Sequence, residues 1–165
     1  MRDTPYSVLF LCTANSARSI LAEAILARQA GSRFMSLSAG SQPRGQIHPL
    51  ALNLLQQKGY DISGFRSKSW DEFDESQMAN GVDFVFTVCD SAAAEVCPVW
   101  PGHPLTAHWG IADPAAASGS EAEQRLAFVT AYNQLKARID AFIALPDLGI
   151  DRLALKAKLQ DIGRL

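Results

Sequence analysis

The sequence is poor in cysteine and has no long hydrophobic run. Its 165 residues include three cysteines, which argues against a secreted disulfide framework and favours reduced thiols in a cytoplasm. No apolar stretch approaches the roughly 20 residues that a membrane-spanning helix needs. The first residues also lack the basic region and long apolar stretch of a signal peptide. These features predict a cytoplasmic protein that does not associate with a membrane.

An excess of charge of one sign is missing as well. Fifteen basic and seventeen acidic residues leave a net charge of −2, which offers no extended basic surface for nucleic acid, so any anion site has to be local. At roughly 150 residues per domain, the length predicts one domain over residues 1–165.

Strands alternate with helices along the chain. The unbroken apolar run at residues 8–11 is typical of a strand buried on both faces. Residues 84–88 indicate a second such strand through their aromatic and β-branched side chains, and weaker strand patterns occur at 34–38 and 105–109. Helical patterns cover residues 19–30, 49–58, 70–78, 121–145 and 151–162. This alternation predicts an α/β fold in which a parallel sheet is covered by helices on both faces.

The first strand runs directly into the segment Cys-Thr-Ala-Asn-Ser-Ala-Arg-Ser, residues 12–19. Parallel sheets bind ligands at the carboxyl ends of their strands, and a short loop before a helix directs backbone N–H groups at an oxyanion. Arg18 can hold two oxygens of such an anion. The same donors and the helix dipole are expected to lower the pKa of Cys12, so that it acts as a thiolate nucleophile. The predicted oxyanion-binding residues are Thr13, Ala14, Asn15, Ser16, Ala17, Arg18 and Ser19.

Two loop residues and one distant residue complete the predicted chemistry. Ser19 can donate a hydrogen bond to the sulfur of Cys12, and Asn15 tolerates a left-handed conformation that would hold the loop in shape. Displacing a group from an oxyanion also requires an acid that protonates the departing oxygen. Asp113, followed by Pro114 in the loop after the fourth strand, is the candidate acid.

These motifs resemble the low-molecular-weight tyrosine phosphatase superfamily and, within it, the arsenate reductases. The resemblance is carried by the Cys-x5-Arg-Ser loop and by Ser38-Ala39-Gly40, Val88-Cys89-Asp90, Cys97-Pro98 and Asp113-Pro114. It implies a four-stranded parallel sheet with flanking helices and no organic cofactor. It also implies that Cys12 is the nucleophile, Arg18 the oxyanion binder and Asp113 the acid.

The three cysteines favour the reductase within this family. A phosphatase needs one cysteine, whereas reduction of arsenate to arsenite takes two electrons and requires a second thiol. Cys89 follows a strand of the same sheet and Cys97 lies eight positions later, which suggests a relay from Cys12 through Cys89 to Cys97. Seven residues separate the last two cysteines, where thioredoxin-coupled arsenate reductases have six. The electron donor is therefore left open between thioredoxin and a glutathione–glutaredoxin system.

The residues after the acid also favour a small inorganic substrate. Phosphotyrosine phosphatases of this family place aromatic residues there, whereas this sequence has Ala115, Ala116 and Ala117, which cannot stack on a substrate ring. Two alternatives stay open. One is a phosphatase of phosphomonoesters in which the additional cysteines are structural, and the other is a non-catalytic oxyanion or redox sensor.

A cation position is altered relative to the family. Some of these reductases bind potassium through Asn, Glu, Ser and Asp, and Asn15, Glu23 and Ser38 match three of these ligands, whereas Lys68 stands at the acidic position. The hypothesis is that the Lys68 ammonium replaces the ion and pairs with Glu23.

No other metal site is predicted. The histidines at 48, 103 and 108 are scattered, and the cysteine spacings match no zinc pattern.

Overall fold

The computed structural model describes residues 3–73, 78, 81–94, 100, 102–146, 148–149 and 151–165. One sheet contains the strands β1 (Tyr6–Cys12), β2 (Phe34–Gly40), β3 (Phe84–Thr87) and β4 (Leu105–His108). Its order is β2-β1-β3-β4, and all neighbouring strands are parallel. The predicted α/β fold with a four-stranded parallel sheet is confirmed.

Five α-helices connect and cover the strands: α1 (Arg18–Ala30), α2 (Pro49–Gln57), α3 (Asp90–Ala94), α4 (Glu121–Ile143) and α5 (Arg152–Ile162). The helix expected over residues 70–78 is wrong in type, because the observed element is a 3₁₀ helix at Trp70–Phe73, and residues 74–77 lie outside the described residues. Its first turn closes through an i→i+3 bond from Glu72 N–H to the Ser69 carbonyl. Within the described part of the chain, no helix combines the length and the hydropathy required to cross a membrane.

Alternate residues of β1 enter two separate cores. Val8 and Phe10 pack with the apolar faces of α1, α4 and α5. Leu9 and Leu11 pack on the other face with a second cluster that includes Phe73, Val85 and Trp100. Burial on both faces is the reason that the strand is a continuous apolar run rather than an alternating one.

The carboxyl ends of β1 and β3 form the switch point of the sheet. The chain leaves β1 towards β2 on one side and later enters β3 on the other side, and such a reversal opens a crevice. Leu11 is paired with Thr87, and Val88 N–H donates to the Leu11 carbonyl at 2.9 Å. Cys12 follows Leu11 and Cys89 follows Val88, so the two cysteines lie at the same edge of the sheet.

Candidate active site

The loop of residues 12–19 is held from outside through its carbonyl groups. Three of its carbonyl oxygens accept backbone N–H bonds of 2.9 Å from the segment after β2; the pairs are Thr13 with Gln42, Ala14 with Arg44, and Ser16 with His48. Carbonyls that point outward leave the inner side of a loop to its N–H groups, which is how anion-binding nests are built. On that inner side, Asn15 N–H donates to Cys12 Sγ at 3.2 Å.

Gly40 allows β2 to pass directly beneath this loop. It is paired with Cys12 in the sheet, and a Cβ atom at Gly40 would lie 2.4 Å from the Thr13 carbonyl oxygen and 3.0 Å from Asn15 N. Both neighbours are backbone atoms, so neither could move without displacing the loop. The glycine in the Ser38-Ala39-Gly40 motif is therefore required by the close approach of two backbones.

Asn15 fixes the shape of the loop with its backbone and its side chain. Its φ of 47° is the left-handed conformation predicted from the sequence. Its amide nitrogen donates to Ser19 Oγ at 2.7 Å and to Ser38 Oγ at 3.0 Å, and its Oδ1 accepts the Lys68 N–H at 2.9 Å. The side chain thus connects α1, β2 and the segment around Lys68 below the loop.

Cys12 is almost completely enclosed, and Ser19 Oγ lies 2.9 Å from its sulfur. Because this oxygen accepts from Asn15, its own hydrogen can point at the thiol. Burial nevertheless raises the pKa of Cys12 above its ordinary value, while the bonds from Ser19 and Asn15 act in the lowering direction. The sequence-based expectation of a lowered pKa is wrong in this structure, because the donors are visible in the motif and the loss of solvent is not.

Arg18 and Asp113 meet across the mouth of the loop. Arg18 Nη2 lies 3.7 Å from Asp113 Oδ2, and Arg18 Nη1 donates to the Ile111 carbonyl at 3.1 Å. Asp113 caps the 3₁₀ helix Pro114–Ala116 by accepting Ala115 N–H at 3.0 Å. The Asp113 side chain is 43% exposed and that of Arg18 is 17% exposed, so the carboxylate reaches solvent while the guanidinium is mostly sheltered.

Cys89 brings a second free thiol to the loop. It is buried, and its sulfur lies 3.8 Å from Thr13 Oγ1 and 3.4 Å from Ala92 N, whose N–H donates to it. It is near enough to Cys12 to contribute to the raised pKa of that thiol. The third cysteine, Cys97, lies outside the described residues.

The four residues compared with a potassium site lie together behind the loop. Lys68 Nζ lies 3.4 Å from Glu23 Oε1, 3.4 Å from Ser38 Oγ and 3.2 Å from the Arg66 carbonyl oxygen. Ser38 Oγ donates to Glu23 Oε1 at 2.6 Å. An ammonium group therefore already occupies the position next to the carboxylate, and the residues present do not fit a bound potassium ion. Among the described residues no cluster of three or more His, Cys, Asp and Glu side chains could hold a metal.

Sequence reasoning missed two parts of this region. The segment of residues 42–48 that binds the loop carbonyls acts through its backbone, so no side-chain pattern identifies it. His108, counted only as a scattered histidine, contacts Asp90, the residue after Cys89. The parallel pairing of β3 with β4 brings these two residues together, and only a known strand register could have predicted that contact.

A Cys-x5-Arg loop at the switch point of a parallel sheet, with an aspartate at its mouth, defines a protein that performs nucleophilic chemistry on an oxyanion. Residues 7–157 match the family described as low molecular weight phosphotyrosine protein phosphatase. The chain belongs to this family.

The similar proteins include several arsenate reductases. The arsenate reductase of Bacillus subtilis is 35% identical over 135 residues, which cover 82% of this chain and 93% of that protein. A structure of an arsenate reductase in a phosphate-binding state superposes with a TM-score of 0.68 at 27% identity, covering 84% of this chain and 97% of the other. The thioredoxin-dependent arsenate reductase of Corynebacterium glutamicum gives a TM-score of 0.64 at 29% identity; the match covers 87% of this chain but 62% of that longer chain.

Proposed function

We propose that this protein reduces arsenate to arsenite, with Cys12 as the nucleophile. The observation that carries the proposal is the second free thiol, Cys89, buried 3.8 Å from the hydroxyl of Thr13 in the oxyanion loop. Hydrolysis of a phosphate ester through a phosphocysteine does not use a second thiol, whereas a two-electron reduction requires one. The arsenate reductases among the relatives support the same choice.

In the first step the loop N–H groups and Arg18 hold the arsenate oxygens, and the Cys12 sulfur attacks arsenic. An As–S bond forms and an As–O bond breaks. The oxygen leaves as water and takes up the proton of the Cys12 thiol together with one proton from Asp113. Burial raises the pKa of Cys12, and the hydrogen bonds from Ser19 and Asn15 act in the opposite direction, so these donors stabilise the sulfur as it gives up its proton.

In the second step Cys89 gives up its proton, which ends on the departing arsenite, and its sulfur attacks the Cys12 sulfur. An S–S bond forms and the As–S bond breaks; its electron pair stays on arsenic, which leaves as arsenite, while the two thiols are oxidised to a disulfide. The N–H of Ala92 donates to Cys89 Sγ at 3.4 Å, so the attacking sulfur is held in place by a backbone hydrogen bond.

A further thiol–disulfide exchange then transfers the disulfide to Cys89 and Cys97. Cys97 attacks Cys89, which frees the Cys12 thiol, and an external dithiol reduces the Cys89–Cys97 disulfide. We propose thioredoxin as this donor because one similar structure is that of a thioredoxin-dependent enzyme. A glutathione–glutaredoxin system is the alternative, and it could act with Cys12 and Cys89 alone.

The substrate class follows from the mouth of the site. The residues after Asp113 are Ala115, Ala116 and Ala117, so the turn that carries the acid offers no aromatic surface to an organic group. A small inorganic oxyanion fits this arrangement best. Phosphate has the same shape and charge as arsenate, so slow hydrolysis of phosphomonoesters is expected as a side activity.

Lys68 supports the loop as a built-in cation in this proposal. Its ammonium balances Glu23, and its backbone N–H holds Asn15, which in turn contacts Ser19 beside the nucleophile. Arsenate turnover should therefore be equal in sodium and potassium buffers. A strong increase of turnover with potassium would contradict this role.

The test is steady-state arsenate reduction by the wild type and by the Cys89→Ser and Cys97→Ser variants, with each of the two donor systems. The full relay requires that thioredoxin supports turnover and that each variant abolishes it. Turnover with glutaredoxin alone, unaffected by Cys97→Ser, would show a shorter relay. Absence of arsenate turnover with both donors, beside rapid hydrolysis of an aryl phosphate, would leave a phosphatase.

A further inference from the structure

The residue that follows Cys89 is held by a side chain of the neighbouring strand. Asp90 begins α3, and its Oδ1 lies 2.7 Å from His108 Nε2 at the end of β4. The other ring nitrogen of His108 lies 2.8 Å from Thr87 Oγ1 at the end of β3. Both nitrogens of the ring are therefore engaged, and the imidazole bridges the strand that leads to Cys89 and the helix that follows it.

Gly110 provides the space for this contact. A Cβ atom at Gly110 would lie 2.5 Å from His108 Nε2 and 2.9 Å from Asp90 Oδ1. Any other residue would thus push the imidazole and the carboxylate apart. A glycine is needed here for the side-chain contact above it and not for an unusual backbone angle.

Backbone hydrogen bonds join the two segments that carry the exchange thiol and the acid. Beyond the strands, pairing continues through Trp109 N–H to the Thr87 carbonyl at 2.7 Å and Ile111 N–H to the Val88 carbonyl at 3.2 Å. The Ile111 carbonyl then accepts from Arg18. The segment that leads to Asp113 is thus held by backbone bonds and by Arg18, whereas the imidazole contacts the start of α3.

From this geometry we propose that His108 is a positioning residue for the exchange thiol, and we call Thr87, His108 and Asp90 the clamp. The helix α3 has five residues, too few to remain folded through its own hydrogen bonds. The clamp fixes its first residue, so that the N–H of Ala92 stays on the Cys89 sulfur and the sulfur stays beside Thr13. This inference rests on the proposed thiol exchange and names the group that keeps its second thiol in place.

The contact is exposed, since the side chains of His108 and Asp90 are 41% and 96% accessible. An exposed charged pair is worth a small free energy, so breaking the clamp should change local opening by about two- to fivefold rather than abolish it. A weak clamp suits this segment, because the Cys89 sulfur has to leave its position beside Thr13 when Cys97 attacks it in the proposed exchange.

The first test is amide hydrogen exchange of Ala92, measured by NMR on the reduced protein without arsenate. Asp90→Ala, His108→Ala and Gly110→Ala should each accelerate exchange about two- to fivefold, and the double variant Asp90→Ala/His108→Ala no more than either single variant. Asp90→Asn, which retains an oxygen acceptor for the imidazole, should stay closer to the wild type. Unchanged exchange in the single variants, or additive effects in the double variant, would overturn the clamp.

The second test separates positioning from a general structural role. In a single turnover with arsenate, the clamp variants should form arsenite about two- to fivefold more slowly, while hydrolysis of an aryl phosphate, which needs only the Cys12 loop and Asp113, remains at the wild-type rate. Equal losses in both reactions would overturn the positioning role. If the wild type forms no arsenite, the proposed function fails, whereas the amide exchange result still decides whether the clamp exists.

Discussion

The two described thiols have very different surroundings. Cys12 is enclosed by the Ser19 hydroxyl at 2.9 Å and the Asn15 N–H at 3.2 Å, in a loop whose carbonyls are bound from outside. Cys89 has longer contacts of 3.8 Å to Thr13 and 3.4 Å to Ala92, and a helix of five residues follows it. One thiol is built to stay in place while an oxyanion binds, and the other lies where a small local change can bring it to a new partner.

This difference also has an electrostatic cost. The enclosure that fixes the loop removes solvent from Cys12 and raises the pKa of its thiol. The loop donors partly offset this effect, and they are of most use once negative charge develops on the sulfur and on the oxyanion. The site is therefore organised for the transition state more than for the resting thiolate.

Removing each thiol separately should give the largest effects and should distinguish the roles of the two cysteines. Cys12→Ser should abolish both arsenate reduction and aryl phosphate hydrolysis, by a factor on the order of 10⁴ or more, because both reactions use the same nucleophile. Cys89→Ser should abolish only arsenate reduction. Initial rates of both reactions on the same preparations measure this, and loss of both activities in Cys89→Ser would contradict separate roles for the thiols.

The acid should matter to both reactions, but less than the nucleophile. Asp113→Asn keeps an oxygen for capping Ala115 N–H yet cannot donate the proton, so kcat should fall by about 10²- to 10⁴-fold. Asp151→Asn is the matched control, because Asp151 also caps a helix and lies outside the site. Comparable losses in the two variants would show that the effect of Asp113 is structural.

The buried cation behind the loop should affect stability. Lys68→Met leaves Glu23 uncompensated in a position where the two side chains are only 8% and 13% exposed, so we expect a loss of about 3–5 kcal/mol in the free energy of unfolding. Adding Glu23→Gln should restore part of it. Lys136→Met, which breaks an exposed pair with Asp140, should cost less than about 0.5 kcal/mol. Denaturant unfolding of the four proteins measures these differences, and similar losses for the two lysines would contradict the account.

The smallest effect concerns the pKa of the nucleophile. In a Cys89→Ser/Cys97→Ser background, alkylation of Cys12 should still be accelerating above about pH 8.5, because burial raises its pKa above the usual value. Ser19→Ala removes a donor that acts in the lowering direction, so the rise should move to higher pH and the rate near pH 8 should fall by up to about tenfold. A plateau below about pH 7 would show that Cys12 is a thiolate at rest.

Local patterns predicted much of this molecule. A continuous apolar run identified β1, and aromatic and β-branched residues identified β3, because both faces of these strands are buried. The Cys-x5-Arg segment identified the loop because its chemistry lies within eight consecutive residues. The raised pKa of Cys12 could not be predicted, since it depends on how closely distant segments cover the sulfur. The contact between His108 and Asp90 joins residues 18 positions apart, and it exists only through the register of two parallel strands and the small size of Gly110.

Counting thiols during a single reduction shows whether Cys12 and Cys89 supply the two electrons. The fully reduced protein is mixed with arsenate in the absence of any external reductant, and free thiols and arsenite are counted together. We expect two thiols to disappear for each arsenite formed, with Cys89 among the oxidised residues, and we expect Cys89→Ser to form no disulfide. Arsenite formation without thiol loss, or no arsenite with all thiols intact, would contradict a reductase in which Cys12 and Cys89 supply the electrons.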